Sequence, residues 1–216
     1  NLKLKSIDGT EINGSGPKIP KEKVEELMKR LNTMKEGDVL FLAGSIPASM
    51  PDDIYSRIMK ELKDKGIMIV VDATRDLLMN VLEYRPFLIK PNNHELGEIF
   101  GVKITEKEDV ITYAKKMQEK GAGNVLVSMA GDGAVLVAED GSIFQAEAPK
   151  GKVVNSVGAG DSMIAGFVGT WFEKHDAAEG LRVGSACGGA TAFTEDIAVK
   201  SQIDAVLPQI KIDVVE

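Results

Sequence analysis

The chain is poor in cysteine and histidine, and it has neither a basic excess nor a long hydrophobic run. Its single cysteine, Cys187, excludes an internal disulfide, and its two histidines do not have the spacing of zinc ligands. With 26 basic against 33 acidic residues the net charge is −7, which argues against a nucleic-acid partner. No apolar stretch approaches the length of a membrane span, so no membrane partner is expected. These absences predict a protein of the reducing cytoplasm.

Patterns typical of buried strands alternate with helical patterns through much of the 216-residue chain. Apolar runs at 39–43, 67–72, 87–89 and 124–128 predict strands covered on both faces. Residues 134–137 and 142–145, joined by a tight turn, predict antiparallel strands that finish the sheet. We therefore expect a three-layer α/β fold with a mostly parallel sheet flanked by helices, one of them a short helix over 75–84.

The first thirteen residues alternate apolar and polar side chains around Asp8-Gly9, which predicts a two-stranded hairpin. The segment Gly14-Ser15-Gly16-Pro17 follows as a short linker and is the expected hinge between this hairpin and the rest of the chain.

The most informative stretch is 155–166, which reads Asn-Ser-Val-Gly-Ala-Gly-Asp-Ser-Met-Ile-Ala-Gly. Gly158, Ala159 and Gly160 allow a tight turn, and the apolar residues that follow recur at helical spacing. Free N–H groups at such a helix start suit a phosphate. A carboxylate there, Asp161, has a function if it accepts a proton from a hydroxyl that attacks the phosphate. The alternative is that Asp161 or Ser162 only caps the helix.

Further candidates follow the predicted strands. Gly44-Ser45 ends the first strand, where ligands bind in open α/β sheets, although a plain strand-to-helix turn fits equally. Asp72 ends the second strand and is interpreted as a helix cap. Asn92 and Glu95 follow the third strand, and they could cap a helix, hold Mg²⁺ through water, or do both.

Two glycine-rich segments have competing explanations. Gly131 and Gly133 lie in the segment 128–133, for which a turn between two strands is the default interpretation. The helical segment 177–193 contains Gly188 and many small residues, which permit close approach by another helix or by a flat ligand. Cys187, in the same segment, is expected to be a buried thiol.

Together these motifs resemble those of the ribokinase-like (PfkB) carbohydrate kinases, over essentially the whole chain. The resemblance rests on Val-Gly-Ala-Gly-Asp at 157–161, on Gly-Ser-Ile-Pro at 44–47 and on Lys-Pro-Asn-Asn-His-Glu-Leu at 90–96. Asn155-Ser156 stands where most members carry Asp-Thr, and this variant is similar to the hexose-phosphate branch of the family.

The resemblance implies ATP-dependent phosphorylation of a hexose phosphate, with fructose 1-phosphate converted to fructose 1,6-bisphosphate. Tagatose 6-phosphate is an alternative acceptor, and a non-catalytic nucleotide- or sugar-phosphate-binding remnant is an alternative function. By resemblance, Asp161 is the general base, and Gly158, Ala159 and Gly160 form the anion hole. The implied nucleotide-binding residues are Ser128, Gly131, Gly133, Gly158, Gly160 and Gly188. Asn92 and Glu95 are implied to hold Mg²⁺ indirectly, and Gly44, Ser45 and Asp161 to contact the acceptor.

The resemblance also implies a domain division. Residues 1–16 are expected to form a small β lid over the sugar site, through which a homodimer could pair, and residues 17–216 the nucleotide-binding and catalytic core. Because the chain begins without Met and in a strand-like pattern, we expect it to be a fragment that lacks the N-terminal part of the fold.

Overall fold

The computed structural model describes residues 2–4, 10–12, 14 and 16–215, and its central feature is a seven-stranded sheet. The strands are β1 (Leu2–Leu4), β2 (Thr10–Ile12), β3 (Val39–Ala43), β4 (Met68–Asp72), β5 (Leu88–Ile89), β6 (Asn124–Ser128), β7 (Ala134–Val137), β8 (Ile143–Ala146) and β9 (Ile212–Val215). Strands β3 to β9 lie side by side in chain order. The pairings from β3 to β6 are parallel and those from β6 to β9 antiparallel, so the sheet is mixed.

Helices cover both faces of this sheet, which confirms the three-layer α/β fold. The helices are α1 (Lys21–Leu31), α2 (Ile54–Leu62), α3 (Arg75–Met79), α4 (Asn93–Phe100), α5 (Lys107–Glu119), α6 (Ala159–Lys174), α7 (Ala177–Ala192) and α8 (Lys200–Val206). Helices α1 to α5 share one core with Val125 and Val127 of β6, and α6 to α8 share a second core with Leu126. Successive residues of this strand face opposite layers and are fully buried, as the apolar runs predict.

The helix predicted over 75–84 is interrupted. Helix α3 ends at Met79, and a separate 3₁₀ turn spans Leu82–Tyr84. Pro86 cannot continue a helix, and Arg85 before it lies in the left-handed region with φ 53°. The chain therefore leaves the helical path before it enters β5.

The N-terminal strands pair as expected for a hairpin. Strand β1 runs antiparallel to β2, and Leu2 lies opposite Ile12. The turn at Asp8-Gly9 lies outside the described residues. Beyond the linker, the Ser49 hydroxyl accepts a hydrogen bond from the Ile19 N–H at 3.0 Å and donates one to the Pro17 carbonyl at 3.1 Å. The division into a lid and a core remains a prediction.

Among the described residues, no helix combines the length and the apolar character needed to cross a bilayer.

The close packing of α6 against α7 gives a first testable prediction. A Cβ atom on Gly184 of α7 would lie 2.7 Å from the Met163 carbonyl oxygen of α6, whereas one on Gly169 would meet nothing within 4 Å. We expect Gly184→Ala to lower the free energy of unfolding by about 1–3 kcal/mol through overpacking. The matched Gly169→Ala should raise it by about 0.5–1 kcal/mol, because alanine is the better helix former. Urea denaturation of both variants checks this, and equal effects would contradict it.

Candidate active site

The carboxyl ends of the parallel strands form one edge of the sheet, and most of the candidate residues lie there. Gly44 directly follows β3, and its N–H donates to the Asp72 carbonyl at the end of β4 at 2.9 Å. The Tyr55 hydroxyl of α2 donates to the carbonyl of Ala43 at 2.8 Å, so the turn at Gly44-Ser45 is held from two sides. Ser45 is exposed at this edge and available to a ligand.

Asp72 is paired with a lysine that the sequence analysis did not single out. The Lys90 Nζ atom, directly after β5, lies 3.5 Å from Asp72 Oδ1. Burial raises the pKa of the Asp72 carboxyl, the Lys90 ammonium opposes that rise, and the carboxylates of Asp161 and Glu95 add to it. The prediction that Asp72 caps a helix is wrong, because Thr74 is the N-cap residue of α3. Three carboxylates and one ammonium therefore share this edge of the sheet.

The glycine turn enters α6 without a side-chain cap. Gly158, with φ 81°, is the N-cap residue, and the helix begins at Ala159, as the sequence predicts. The Ala159 N–H donates to the Ser156 carbonyl at 3.2 Å. Within the described part of the chain, the N–H groups of Gly158, Gly160 and Asp161 donate to no protein acceptor. These groups are available to an anion.

The capping alternative for this turn finds no support in the geometry. The Asp161 carboxylate is exposed in the first helical turn, and no side chain caps α6. The Ser162 hydroxyl accepts a hydrogen bond from the Thr191 hydroxyl of α7 at 3.0 Å instead of capping its own helix.

Asp161 borders a cleft at the end of the strands. The cleft has a volume of about 300 Å³ and is lined by Phe41, Leu42, Ala43, Val70, Asp72, Asp161, Ile164 and Ala165. Two carboxylates thus stand in largely apolar surroundings. A larger hollow of about 470 Å³ lies between α1 and the segment 49–51 and contains none of the predicted site residues.

Asn92 and Glu95 form a capping box at the start of α4. The Asn92 side chain accepts from the Glu95 N–H, and the Glu95 carboxylate accepts from the Asn92 N–H, each at 2.8 Å. In the described residues no group of three or more His, Cys, Asp or Glu side chains is arranged to enclose a metal ion. A role of this pair toward Mg²⁺ therefore remains a prediction and would operate through water.

The segment after β6 lies beside this capping box. Ser128 forms an isolated parallel bridge with Asn92, and its N–H donates to the Pro91 carbonyl at 3.2 Å. Gly131 is exposed, and a Cβ atom there would meet nothing within 4 Å. Gly133 is buried with φ 90°, and its Cβ atom would collide with β8. Packing thus explains the glycine at 133, whereas only Gly131 leaves space for a ligand.

Gly188 lies where α7 crosses the first turns of α6. A Cβ atom on Gly188 would lie 3.0 Å from the Ala159 carbonyl oxygen and 3.3 Å from Met163 Cβ. Close helix packing therefore explains this glycine, and its contact with a nucleotide remains a prediction. Cys187 is buried as expected, and burial raises the pKa of its thiol.

Asn155 fastens the loop before the glycine turn. Its side-chain amide donates to the Glu195 carbonyl at 2.8 Å, and its side-chain oxygen accepts from the Val157 N–H at 3.1 Å. Its own N–H donates to the Ala192 carbonyl at 3.2 Å. Asn155 therefore ties the approach to Gly158 to the segment that follows α7.

A second prediction concerns this tie. Asn155→Asp replaces the amide donor with a carboxylate oxygen that faces the Glu195 carbonyl, and we expect a loss of about 1–3 kcal/mol in the free energy of unfolding at pH 7. Because the Glu195 carbonyl opposes ionisation of this acid in the folded state, the loss should shrink as the pH falls towards about 4, the ordinary pKa of aspartic acid, where the protonated acid donates again. Urea denaturation of parent and variant at pH 7 and at about pH 4 tests this, and a loss independent of pH would contradict it.

Several residues of the site escaped the sequence analysis. The role of Lys90 could have been suspected from the sequence, because a cation directly after a buried strand is an unusual placement. The sequence contains no comparable indication for Tyr55, since its contact with the turn at Gly44-Ser45 depends on how α2 packs. The third feature, called here the apolar rim, is a set of apolar residues in the segments before Gly158 and after α7 that are between 45% and 68% exposed. The rim consists of Val153, Val154, Val157, Ile197 and Val199.

A mixed sheet in three layers, with a glycine turn entering a helix beside the strand ends, is the ribokinase-like architecture. The family model described as pfkB family carbohydrate kinase matches residues 1–201. The chain is 44% identical to the 1-phosphofructokinase of Bacillus subtilis (strain 168), a match that covers 98% of this chain and 70% of that protein. It is 34% identical to the D-tagatose-1-phosphate kinase of Bacillus licheniformis, with the same coverage of 98% and 70%.

A crystal structure supports the same assignment. The fold is similar to that of a Staphylococcus aureus protein whose description as a phosphofructokinase is itself provisional, with a TM-score of 0.89 and 38% identity over 96% of this chain and 67% of that one. The chain therefore belongs to the pfkB family of carbohydrate kinases. Its enzyme class is that of a sugar kinase.

Proposed function

We propose that this chain transfers the terminal phosphoryl group of ATP to the C6 hydroxyl of a ketohexose 1-phosphate. The preferred acceptor is fructose 1-phosphate, which yields fructose 1,6-bisphosphate and ADP. The observation that carries the proposal is the uncapped start of α6, where the free N–H groups of Gly160 and Asp161 adjoin a carboxylate in the cleft. The names of the two Bacillus relatives support this acceptor, because each denotes a kinase of a ketohexose 1-phosphate.

In the proposed reaction Asp161 is the general base. It accepts the proton of the C6 hydroxyl while that oxygen forms a bond to the terminal phosphorus of ATP. The bond from this phosphorus to the bridging oxygen breaks, ADP leaves with the electron pair, and Asp161 releases the proton to solvent. The N–H groups of Gly158 and Gly160 stabilise the negative charge on the transferring group. Asp161 suits this role because its carboxylate is exposed and its side chain does not cap α6.

The oxygen donors present fit a hydrated magnesium ion. Glu95 would hold it through water, and Asn92 orders that carboxylate through the capping box. The carboxylates of Asp161 and Glu95 are both close enough to Asp72 to raise the pKa of its carboxyl. When bound, Mg²⁺ neutralises part of the charge of the ATP phosphates.

The nucleotide would extend from the glycine turn along the neighbouring surfaces. Ser128 adjoins Asn92, and the main chain of Ser128 and of the exposed Gly131 would provide polar groups for the phosphates. The apolar rim beside Gly158 offers a surface for the purine ring, since clustered exposed apolar residues mark binding surfaces. In the rim, Ile197 Cγ1 would lie 3.6 Å from a Cβ atom on Gly158, so the apolar rim reaches the glycine turn.

The second candidate acceptor is tagatose 1-phosphate, a choice favoured by the name of the Bacillus licheniformis relative. From the sequence, tagatose 6-phosphate was the alternative acceptor to fructose 1-phosphate. Tagatose 1-phosphate differs from fructose 1-phosphate only in the configuration at C4 and leaves the C6 hydroxyl free. Tagatose 6-phosphate has no free C6 hydroxyl and would need a different orientation in the cleft.

The hairpin of β1 and β2 fits a lid that covers the acceptor and pairs with a second copy of the chain. The separate antiparallel pairing of β1 with β2 and the exposure of Ile12, at 56%, support this assignment. Sedimentation velocity of the parent and of Ile12→Asp tests the pairing, and an unchanged oligomeric state would contradict it.

The proposed function is tested by an ATP-dependent assay with fructose 1-phosphate, tagatose 1-phosphate, tagatose 6-phosphate and fructose 6-phosphate. ADP release measures turnover, and ³¹P NMR identifies which hydroxyl was phosphorylated. The Bacillus subtilis enzyme serves as the positive control. We expect turnover that is fastest with fructose 1-phosphate. Calorimetric binding of ATP without turnover on any acceptor would support the non-catalytic alternative, and the absence of both would contradict the kinase proposal.

A further inference from the structure

Lys90 differs from the other charged residues of the site because it is buried. It follows β5, whose residues Leu88 and Ile89 are fully buried, and Lys90 itself is only 7% exposed. Removing an ammonium group from water is costly unless a counter-charge and hydrogen-bond acceptors compensate it. A lysine at the end of a central strand therefore requires a structural or a functional reason.

The ion pair with Asp72 is too loose to be the whole reason. The separation of 3.5 Å between Lys90 Nζ and Asp72 Oδ1 exceeds the usual length of a charge-assisted hydrogen bond, about 2.7–2.9 Å. An ammonium group has three donor hydrogens. Within the described part of the chain, Asp72 is the one acceptor that Lys90 contacts, and a weak hydrogen bond to its carboxylate takes at most one of the three hydrogens. The other donors of Lys90 are therefore available to a ligand.

The ammonium group is packed against the first turn of α6. A Cβ atom on Gly160 would lie 3.1 Å from Lys90 Nζ and 3.3 Å from Lys90 Cε. This turn carries the free N–H groups of Gly160 and Asp161 and the positive end of the helix dipole. A cation beside a positive helix end is unfavourable by itself and becomes favourable when an anion binds between them.

We propose that Lys90 is a further catalytic residue, whose ammonium donates a hydrogen bond to a non-bridging oxygen of the phosphoryl group bound at the start of α6. This inference rests on the proposed kinase function. Asp72 holds the ammonium in position, and Lys90 forms no covalent bond. Its charge offsets the repulsion that Asp161 would otherwise exert on the phosphoryl group beside it.

The test compares Asp72→Asn with the double variant Asp72→Asn/Lys90→Met, which differ only in the ammonium group. Lys90→Met alone would leave the Asp72 carboxylate without its counter-charge, whereas in Asp72→Asn the amide oxygen can still accept a hydrogen bond from Lys90, so this pair of variants isolates the ammonium group. We expect the kcat of the double variant with fructose 1-phosphate to be about 100-fold to 1,000-fold below that of Asp72→Asn. Removing one hydrogen-bond donor to the transition state typically has an effect of this size. The KM for the acceptor should change less than about threefold, because the acceptor does not contact Lys90. A fall in kcat of less than about tenfold would overturn the proposal.

Binding of inorganic pyrophosphate, measured by calorimetry at low salt, gives a readout independent of turnover. The double variant should bind it at least about tenfold more weakly than Asp72→Asn, and equal affinity would overturn the proposal. Lys90-dependent binding in a parent that phosphorylates no sugar would uphold the contact of Lys90 with a phosphate but contradict the kinase function, and with it the catalytic role of Lys90. A parent that neither binds pyrophosphate nor turns over would contradict both.

Direct observation of the parent keeps the proposal testable if the double variant does not fold. The side-chain ¹⁵N resonance of Lys90 can be assigned as the signal absent from Lys90→Arg, which retains a cation opposite Asp72. We expect this resonance to shift on titration with pyrophosphate. A resonance that does not move at saturating pyrophosphate would overturn the proposal.

Discussion

The Asp161→Asn variant is expected to bind ATP as the parent does and to lose about 100-fold to 10,000-fold in kcat. Asparagine keeps the size and shape of the side chain but cannot accept the hydroxyl proton at neutral pH. The N–H groups of Gly158 and Gly160 are unchanged, so the phosphates retain their main-chain donors. The measurement is steady-state turnover with fructose 1-phosphate, together with ATP affinity by calorimetry.

Glu173→Gln is the matched control for this variant. Glu173 is an exposed carboxylate in the last turns of the same helix, so its replacement makes the same change in charge far from the cleft. We expect Glu173→Gln to have the same kcat as the parent. A kcat of Asp161→Asn within about tenfold of the parent would contradict the general-base assignment. A matched loss in both variants would instead indicate a general electrostatic effect on α6.

The layered fold was predictable because the strands carry an unusually clear pattern. Residues Val125, Leu126 and Val127 are consecutive and all apolar, and each is fully buried in one or the other core. Such a run is typical of a strand covered on both faces, and its repetition between helical patterns indicates the three layers from local sequence. The turn at Gly158 was also predictable, because this glycine directly precedes a pattern of apolar residues at helical spacing. Glycine readily adopts the positive φ that the structure shows there.

The C-terminal elements could not be predicted in the same way. Strand β9, Ile212–Val215, is an edge strand in which Val214 is 69% exposed, so it lacks the apolar run of the inner strands. Its place in the sheet depends on pairing with β8, a contact between segments distant in sequence. Helix α8 has only seven residues, too few for a periodic pattern to identify it.

The site was predicted in part, because sequence motifs do not distinguish packing from ligand contact. Asn92 and Glu95 were expected either to cap α4 or to serve Mg²⁺, and the capping box shows only the first. The ion pair of Asp72 with Lys90 joins the ends of two strands and depends on their register in the sheet, which local patterns do not specify. The same ambiguity affects glycines of the predicted nucleotide site, where a missing side chain can serve the fold or the ligand.

Gly133→Ala is expected to lower the free energy of unfolding by about 3–5 kcal/mol, a large part of the stability of an ordinary domain. Gly133 has φ 90° and ψ −137°, a conformation that alanine rarely adopts. Its Cβ atom would also clash with the carbonyl oxygen of Ala146 in β8. Because that oxygen belongs to a paired strand, the clash cannot be relieved by turning a side chain. Chemical denaturation measures the loss, and a change below about 1 kcal/mol would contradict this explanation.

Gly131→Ala tests whether the glycine at 131, in the same turn, is required by the fold or by contact with a ligand. Gly131 does not have a positive φ, and a Cβ atom there would meet nothing within 4 Å, so we expect stability within about 0.5 kcal/mol of the parent. If the main chain at 131 approaches the ATP phosphates, the new methyl group should weaken ATP binding by about tenfold or more through a steric clash. Calorimetry with ATP on this stable variant therefore tests the nucleotide assignment directly. Unchanged affinity would remove Gly131 from the nucleotide site and leave Gly133, which the fold requires, as the glycine of this turn with an explanation.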